Sequence, residues 1–180
     1  MAPGQYCADF SNLSALLDRA NWRQLAARVK ELRLVYILRN PLDRIWSQLK
    51  SHYRTGHEQQ LLKEMVDYQP TAGLAEDDLI QHSLYGRNLA RILDVIPRAH
   101  VHVAFYDDIQ EEPERLLRDM EDFLQISAHE YLPAKLGRRI NSSDSMPRPE
   151  WVARHFDPII SDDLETLAQF DVAVPAQWRL

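Results

Sequence analysis

The apolar residues of the chain recur at spacings that predict alternating helices and strands. Between Ser11 and Val29 they return every three or four positions, which predicts one amphipathic helix. Leu34 to Leu38 is a short continuous apolar run between charged residues, a pattern typical of a strand covered on both faces. A helix is then predicted from Pro41, with an apolar face formed by Ile45, Trp46 and Leu49.

The remainder of the chain continues this alternation. The pattern predicts helical composition over 58–68 and a break over 69–73. A long helix is then predicted from Asp77, and Pro97 stops it. A strand over Val101–Phe105 and a helix from Pro113 follow. The stretch from Pro133 to Pro149 is rich in proline, serine and asparagine and is predicted to be a long ordered loop or lid. Short helices near Pro149–Phe156 and Asp162–Phe170 complete the prediction.

Strands alternating with helices predict an α/β protein, a three-layer fold built around a parallel sheet. The 180 residues are expected to form one domain, 1–180. However, only two strands are convincing, and two parallel strands make too small a sheet for so many amphipathic helices. Either strands were missed, or the chain is part of a larger fold.

Composition and charge narrow the classes of function. The net charge of −6 argues against a general binder of nucleic acid or of an anionic membrane, although one small basic pocket for an anion remains compatible with it. Cys7 is the only cysteine, which excludes an intrachain disulfide and a cysteine-rich metal site. With no apolar run long enough to span a bilayer and no signal-peptide pattern at the N-terminus, we expect a cytoplasmic protein.

The most informative segment for chemistry runs from Arg39 to Ser47, directly after the first predicted strand. An arginine at the carboxyl end of a buried strand points to the crevice where open α/β sheets bind ligands. A serine eight residues later lies about two turns into the next helix, so an anion at the helix start can contact both side chains. The ordinary alternative is that Arg39 pairs with Asp43 and that Ser47 is merely a small helical residue.

The segment Arg39-Asn-Pro-Leu-Asp-Arg-Ile-Trp-Ser47 resembles the 3′-phosphate-binding segment of sulfotransferases that use 3′-phosphoadenosine 5′-phosphosulfate (PAPS). The resemblance implies that Arg39 and Ser47 hold the 3′-phosphate of PAPS or of its product PAP. Later segments match the family in the same order, among them His82-Ser83-Leu84-Tyr85 and the second strand with Tyr106-Asp107-Asp108. The family tyrosine contacts adenine, which makes Tyr106 the matching candidate. The alternative for Tyr106 is a tyrosine that caps the core.

A basic segment near the second half of the chain also resembles the family. Lys135-Leu-Gly137-Arg138 is similar to the Lys/Arg-Gly segment that closes over the cofactor, which implies cofactor-binding roles for Lys135, Gly137 and Arg138. A strongly anionic nucleotide suits a cationic loop in which a glycine permits close approach. Trp178 matches a terminal tryptophan of related enzymes, and we expect it to pack rather than to take part in chemistry.

The resemblance covers the carboxyl-terminal portion of the family fold and lacks the 5′-phosphosulfate loop. Family members have a Pro-Lys-X-Gly-Thr-Thr type loop, and none of the five glycines here lies in such a loop. The family's general base also precedes the Arg39 segment, and no histidine precedes His52. The fold is therefore expected to be a P-loop-like sulfotransferase fold incomplete at the N-terminus, and no catalytic base is assigned.

The resulting hypothesis is a sulfotransferase-type enzyme that binds PAPS or PAP and transfers a sulfuryl group to a hydroxyl or amine of a small molecule or carbohydrate. One alternative is a truncated, catalytically inactive fragment that acts as a binding module or has no function. Another is a relative of nucleotide kinases, which rests only on α/β similarity. An exposed sheet edge predicts self-association of such a partial fold.

Two further groups of residues receive no chemical role. The seven histidines lack the spacing of a metal-binding helix, so no metal ligands are assigned. Paired acids such as Asp162 and Asp163 resemble acid/base dyads. At helix starts such residues more often complement the helix dipole.

Overall fold

The computed structural model describes residues 6–52, 78–136 and 147–178. The helix predicted over 58–68, the break predicted over 69–73 and most of the loop or lid predicted from Pro133 to Pro149 lie outside these ranges. The helices, in chain order, are α1 (Arg19–Arg28), α2 (Pro41–His52), α3 (Asp78–Gln81), α4 (Tyr85–Leu93), α5 (Asp108–Glu111), α6 (Pro113–Leu124), α7 (Pro133–Leu136) and α8 (Glu150–Leu167). Single 3-10 turns occur at Asn12–Leu16, Arg98–His100, Ala168–Phe170 and Ala176–Trp178.

Both predicted strands are present and pair in parallel. The first is not covered on both faces as predicted, since Ile37 is 42% exposed. β1 (Leu34–Leu38) lies beside β2 (Val101–Phe105), with Leu34 opposite Val101 and Leu38 opposite Phe105. Because the strands are parallel, their carboxyl ends meet at the same edge of the sheet. Within the described ranges the sheet consists of these two strands.

The predicted helix from Pro41 is confirmed, and its apolar face forms part of the core. Ile45, Trp46 and Leu49 are buried on α2. They belong to one continuous hydrophobic cluster that also includes residues of β1, α4 and α8. The helix predicted from Pro113 is confirmed as α6, with proline in its first turn.

The single helix predicted from Ser11 to Val29 is wrong. A 3-10 turn over Asn12–Leu16 comes first, and α1 begins only at Arg19. The side chain of Asp18 accepts a hydrogen bond from the backbone N–H of Asn21 at 2.7 Å, which caps the helix start. Asp18 therefore starts a new helix within a stretch whose apolar residues have helical spacing throughout.

The long helix predicted from Asp77 to Pro97 is also wrong, because α3 and α4 are separated by a turn at residues 82–84. The buried amide of Asn88 donates to the carbonyl of Gln81 at 2.8 Å, which satisfies the end of α3. The carboxylate of Asp163 accepts hydrogen bonds from the backbone N–H groups of Gly86 and Arg87 at 2.7 and 2.9 Å, which satisfies the start of α4. Side chains from elsewhere in the fold thus make the break stable.

The carboxyl-terminal part contains one long helix where two short ones are predicted. α8 runs from Glu150 to Leu167 and includes Pro158, which cannot donate the usual backbone hydrogen bond. The helix continues through the proline because one face of it is buried, at Val152, Phe156, Ile160, Leu164 and Leu167. Burial of that face outweighs the loss of one hydrogen bond. The predicted loop over Pro133 to Pro149 also begins with one helical turn, α7.

No helix among the described residues is long and apolar enough to cross a membrane.

Candidate functional site

The carboxyl ends of β1 and β2 bring Arg39 and Tyr106 together. The backbone N–H of Tyr106 donates to the carbonyl of Leu38 at 2.6 Å, which extends the strand pairing by one residue. The guanidinium carbon of Arg39 lies 4.9 Å from the centroid of the Tyr106 ring, a cation–π contact. Tyr106 is 37% exposed, so part of its ring stays accessible. This contact was not predicted from the sequence. The signal that could have indicated it is that both residues closely follow strands predicted to be parallel.

The start of α2 lies directly after Arg39. The side-chain oxygen of Asn40 accepts hydrogen bonds from the backbone N–H groups of Leu42 and Asp43 at 3.1 and 3.2 Å. This is a regular N-terminal cap, and the positive end of the helix dipole is at the same point. Ser47 is half-buried, about 9 Å along the helix axis from Pro41 at 1.5 Å per residue. Among the described residues, no hydrogen bond joins the side chains of Arg39 and Ser47.

Asp43 pairs with Arg148 and not with Arg39. The distance from Arg148 Nη1 to Asp43 Oδ1 is 2.6 Å, and the same nitrogen lies 3.5 Å from Asn40 Oδ1. Within the described ranges, Arg39 has no carboxylate partner. The ordinary explanation for Arg39, a pair with Asp43, is therefore wrong. Arg148 was not identified from the sequence, because no local signal connects it with a helix start more than a hundred residues earlier.

A prediction follows for the pair of Arg148 and Asp43. In a double-mutant cycle of Arg148→Ala and Asp43→Ala, we expect a coupling of about 0.5 to 1 kcal/mol in the free energy of unfolding, as for partly exposed ion pairs. The side chains are 23% and 49% exposed, which limits the interaction. Urea unfolding measures the cycle. The exposed Arg154 provides the control, since Arg154→Ala should be additive with Asp43→Ala. Additivity of the Arg148 and Asp43 variants would contradict the pair.

Tyr85, the first residue of α4, holds the backbone of Arg39. Its hydroxyl donates to the carbonyl of Arg39 at 2.8 Å and accepts from the N–H of Arg39 at 3.3 Å. Burial raises the pKa of Tyr85 to about 12, so the hydroxyl keeps its proton at neutral pH. Tyr85 lies in the segment that resembles the family, but its role was not inferred from the sequence.

The raised pKa of Tyr85 predicts loss of stability in alkali. Above pH 10 the phenol ionises in the unfolded chain but stays protonated in the folded one, so the unfolded state binds fewer protons and stability falls with rising pH. Tyr85 contributes about 1.4 kcal/mol per pH unit between pH 10 and 12, and Tyr36, whose pKa burial also raises, adds to the total slope. Urea unfolding at pH 8, 10 and 11 measures it. The Tyr85→Phe variant should lack this part of the slope, and an equal slope in both proteins would contradict the assignment.

Trp178 is buried and packs at the same edge of the sheet, as expected. Its ring meets Phe105 edge-on with centroids 5.5 Å apart, and its Nε1 donates to Asp107 Oδ2 at 3.1 Å. The hydrogen bond was not foreseen. It gives Asp107, at the end of β2, a structural partner.

The basic segment is only partly described. Lys135 lies on α7 and is exposed. Gly137 and Arg138 lie outside the described residues, so the expected clamp over an anion stays a prediction.

Asp163 does not lie at the start of its own helix, as the sequence suggested. It is buried in the last third of α8, where it caps α4. Burial raises the pKa of its carboxyl, and the two backbone N–H donors oppose that rise. The prediction of a surface charge at the start of its own helix is therefore wrong: the carboxylate is buried, and the helix start that it meets is that of α4.

The chain is similar to known proteins in sequence and in fold. A family model described as the sulfotransferase domain matches residues 22–142, a range that includes every predicted cofactor-binding residue. The membrane-associated sulfotransferase kil1 of Dictyostelium discoideum is 34% identical over 61 residues, which are 34% of this chain and 13% of that protein.

A solved structure shows the same fold. The crystal structure of a sulfotransferase from Alicyclobacillus acidocaldarius matches with a TM-score of 0.60 at 19% identity, covering 90% of this chain and 63% of that one. The predicted α/β fold class is thereby confirmed. The chain spans less than two thirds of the length of either protein.

Proposed function

The chain belongs to the sulfotransferase family, and from this membership we propose that it binds PAPS or PAP at the carboxyl ends of β1 and β2. In a complete site, PAPS supplies the sulfuryl group that passes to a hydroxyl or amine acceptor. A small molecule or a carbohydrate is the proposed acceptor class.

The observation that carries the proposal is Arg39 beside a capped helix start. Its guanidinium has no carboxylate partner among the described residues, and it directly follows β1 at the edge where α/β sheets bind ligands. An arginine suits the geometry of a phosphate because its N–H groups donate as a fork. The residues present therefore fit a phosphate group of the donor.

Each of the other predicted residues has a role in this proposal. Ser47 donates its hydroxyl to the same 3′-phosphate. Tyr106 contacts adenine with the part of its ring that stays accessible beside Arg39. Lys135 and Arg138 add positive charge, and Gly137 allows the backbone to approach the nucleotide closely. We assign no residue of this chain as the general base.

Comparison of two nucleotides tests the proposal. PAP carries a 3′-phosphate, whereas adenosine 5′-monophosphate (AMP) lacks it, so the difference in their affinities isolates the proposed contact. Isothermal titration calorimetry of the 180-residue chain should show that PAP binds at least about tenfold more tightly than AMP, given the strength of charge-assisted hydrogen bonds. Equal affinities, or no binding of PAP, would contradict the proposal.

A further inference from the structure

The backbone of Arg39 lies just outside the strand pairing, where its polar groups need other partners. The last hydrogen bond of the sheet is donated by the N–H of Tyr106 to the carbonyl of Leu38. The next N–H and carbonyl, those of Arg39, both meet the hydroxyl of Tyr85. A phenol can donate one hydrogen bond and accept another, so a single group satisfies both.

The Tyr85 side chain is fixed by its surroundings. It is 2% exposed. Its ring meets Tyr36 edge-on with centroids 6.0 Å apart and lies 6.3 Å from the ring of Trp178. Movement of the hydroxyl therefore requires repacking of two large aromatic side chains.

The backbone of Tyr85 is fixed as well, because α4 is anchored at its first turn. Asp163 accepts hydrogen bonds from the N–H groups of the two residues that follow Tyr85. Gly86 packs so closely against α8 that an added Cβ would lie 2.2 Å from the carbonyl oxygen of Asp163. The contacts join α8, α4 and the end of β1 into one rigid unit.

This unit determines the direction in which Arg39 points. The hydroxyl of Tyr85 holds the two peptide groups on either side of the Arg39 Cα, and those peptides fix the backbone dihedral angles from which the side chain projects. We propose that Tyr85 is a positioning residue that aims Arg39 at the 3′-phosphate. This inference rests on the proposed function.

The Tyr85→Phe variant tests the inference, since it removes the hydroxyl and keeps the ring. We expect the affinity for PAP to fall about tenfold and the affinity for AMP to change less than about twofold, because only PAP carries the 3′-phosphate at which Arg39 is aimed. A purely structural effect on folding would lower the apparent affinities for PAP and AMP by the same factor. Calorimetry with both nucleotides measures the ratio, and thermal melting of each variant reports the folded fraction.

Two further variants make the test specific. Tyr36→Phe removes the hydroxyl of the neighbouring buried tyrosine and should leave the ratio of PAP to AMP affinity unchanged. In an Arg39→Ala background, Tyr85→Phe should cause no further loss of PAP affinity, because its effect acts through Arg39. Independent losses in the double variant would overturn the inference.

The outcomes distinguish the inference from the proposed function. If the unsubstituted chain binds PAP and AMP equally, the proposed function fails. If it prefers PAP and Tyr85→Phe keeps the full preference, only the inference fails. Should Tyr85→Phe not fold, Asp163→Asn serves instead, since it loosens the start of α4 without touching Arg39. Its preference for PAP should fall, and an unchanged preference would overturn the inference.

Discussion

Replacement of Gly86 by alanine is expected to lower the free energy of unfolding by about 3 kcal/mol or more, as severe overpacking of a core does. A Cβ at this position would lie 1.7 Å from Thr166 Oγ1 and 2.2 Å from the carbonyl oxygen of Asp163. The second atom belongs to the backbone of α8 and cannot rotate away. α4 would have to move from α8, and the hydrogen bonds from the start of α4 to Asp163 would lengthen.

Urea unfolding of Gly86→Ala measures the loss. The neighbouring Arg87 is exposed, so Arg87→Ala provides a control with the same new side chain on the same helical turn. Because the charge of Arg87 also favours the ionised carboxylate of Asp163, Arg87→Ala should lower the free energy of unfolding by about 1 kcal/mol or less, well below the loss in Gly86→Ala. Adding Thr166→Ala to Gly86→Ala should restore only part of the loss, because the backbone clash remains. A Gly86→Ala protein as stable as the Arg87→Ala control would show that the two helices are not tightly packed here.

The elements predicted correctly are those whose signals are local. The strands β1 and β2 and the helices α2 and α6 follow from apolar patterns and from proline at a helix start. Arg39 is placed at the sheet edge for the same reason, since it directly follows a predicted strand. The position of Tyr106 follows from the second strand in the same way.

Two predicted helix boundaries were wrong because distant contacts decide them, whereas the start of α1 depends on the nearby cap Asp18. The apolar spacing across residues 82–84 is compatible with one helix, yet Asn88 and Asp163 satisfy the broken ends of α3 and α4. Conversely, Pro158 indicates a break, yet α8 continues because burial of its apolar face outweighs one missing hydrogen bond. Both errors come from tertiary contacts that no window of sequence contains.

The same limit applies to the candidate site. Residue types and order indicate Arg39 and Ser47, but not what orients them. Tyr85 lies 46 positions after Arg39, and Arg148 lies 105 positions after Asp43. In each case a polar side chain meets a backbone or carboxylate group that a local pattern leaves without a partner. The sequence indicates that polar groups at the end of β1 and at the start of α2 need hydrogen-bond partners, but only the fold shows which residues those partners are.

Substitution of Arg39 by alanine is expected to weaken the binding of PAP on the order of a hundredfold, because a bidentate arginine makes two charge-assisted hydrogen bonds. Removal of the guanidinium also removes its contact with the ring of Tyr106, the residue proposed to contact adenine. Isothermal titration calorimetry at constant salt measures the change. Ser47→Ala should have a smaller effect, about fivefold to tenfold, since it removes one hydroxyl.

Two matched variants separate the fork of Arg39 from its charge. Arg154→Ala removes an exposed arginine of α8 and makes the same change in net charge, so it should leave PAP affinity within about twofold. Arg39→Lys keeps the charge at the site but loses both the forked hydrogen bonds and the planar contact with Tyr106. Its affinity for PAP should lie between those of the original protein and of Arg39→Ala. If Arg39→Lys binds PAP as tightly as the original chain, only charge at the sheet edge matters. If Arg39→Ala does so too, the 3′-phosphate does not bind at Arg39, and the start of α2 has lost its proposed ligand.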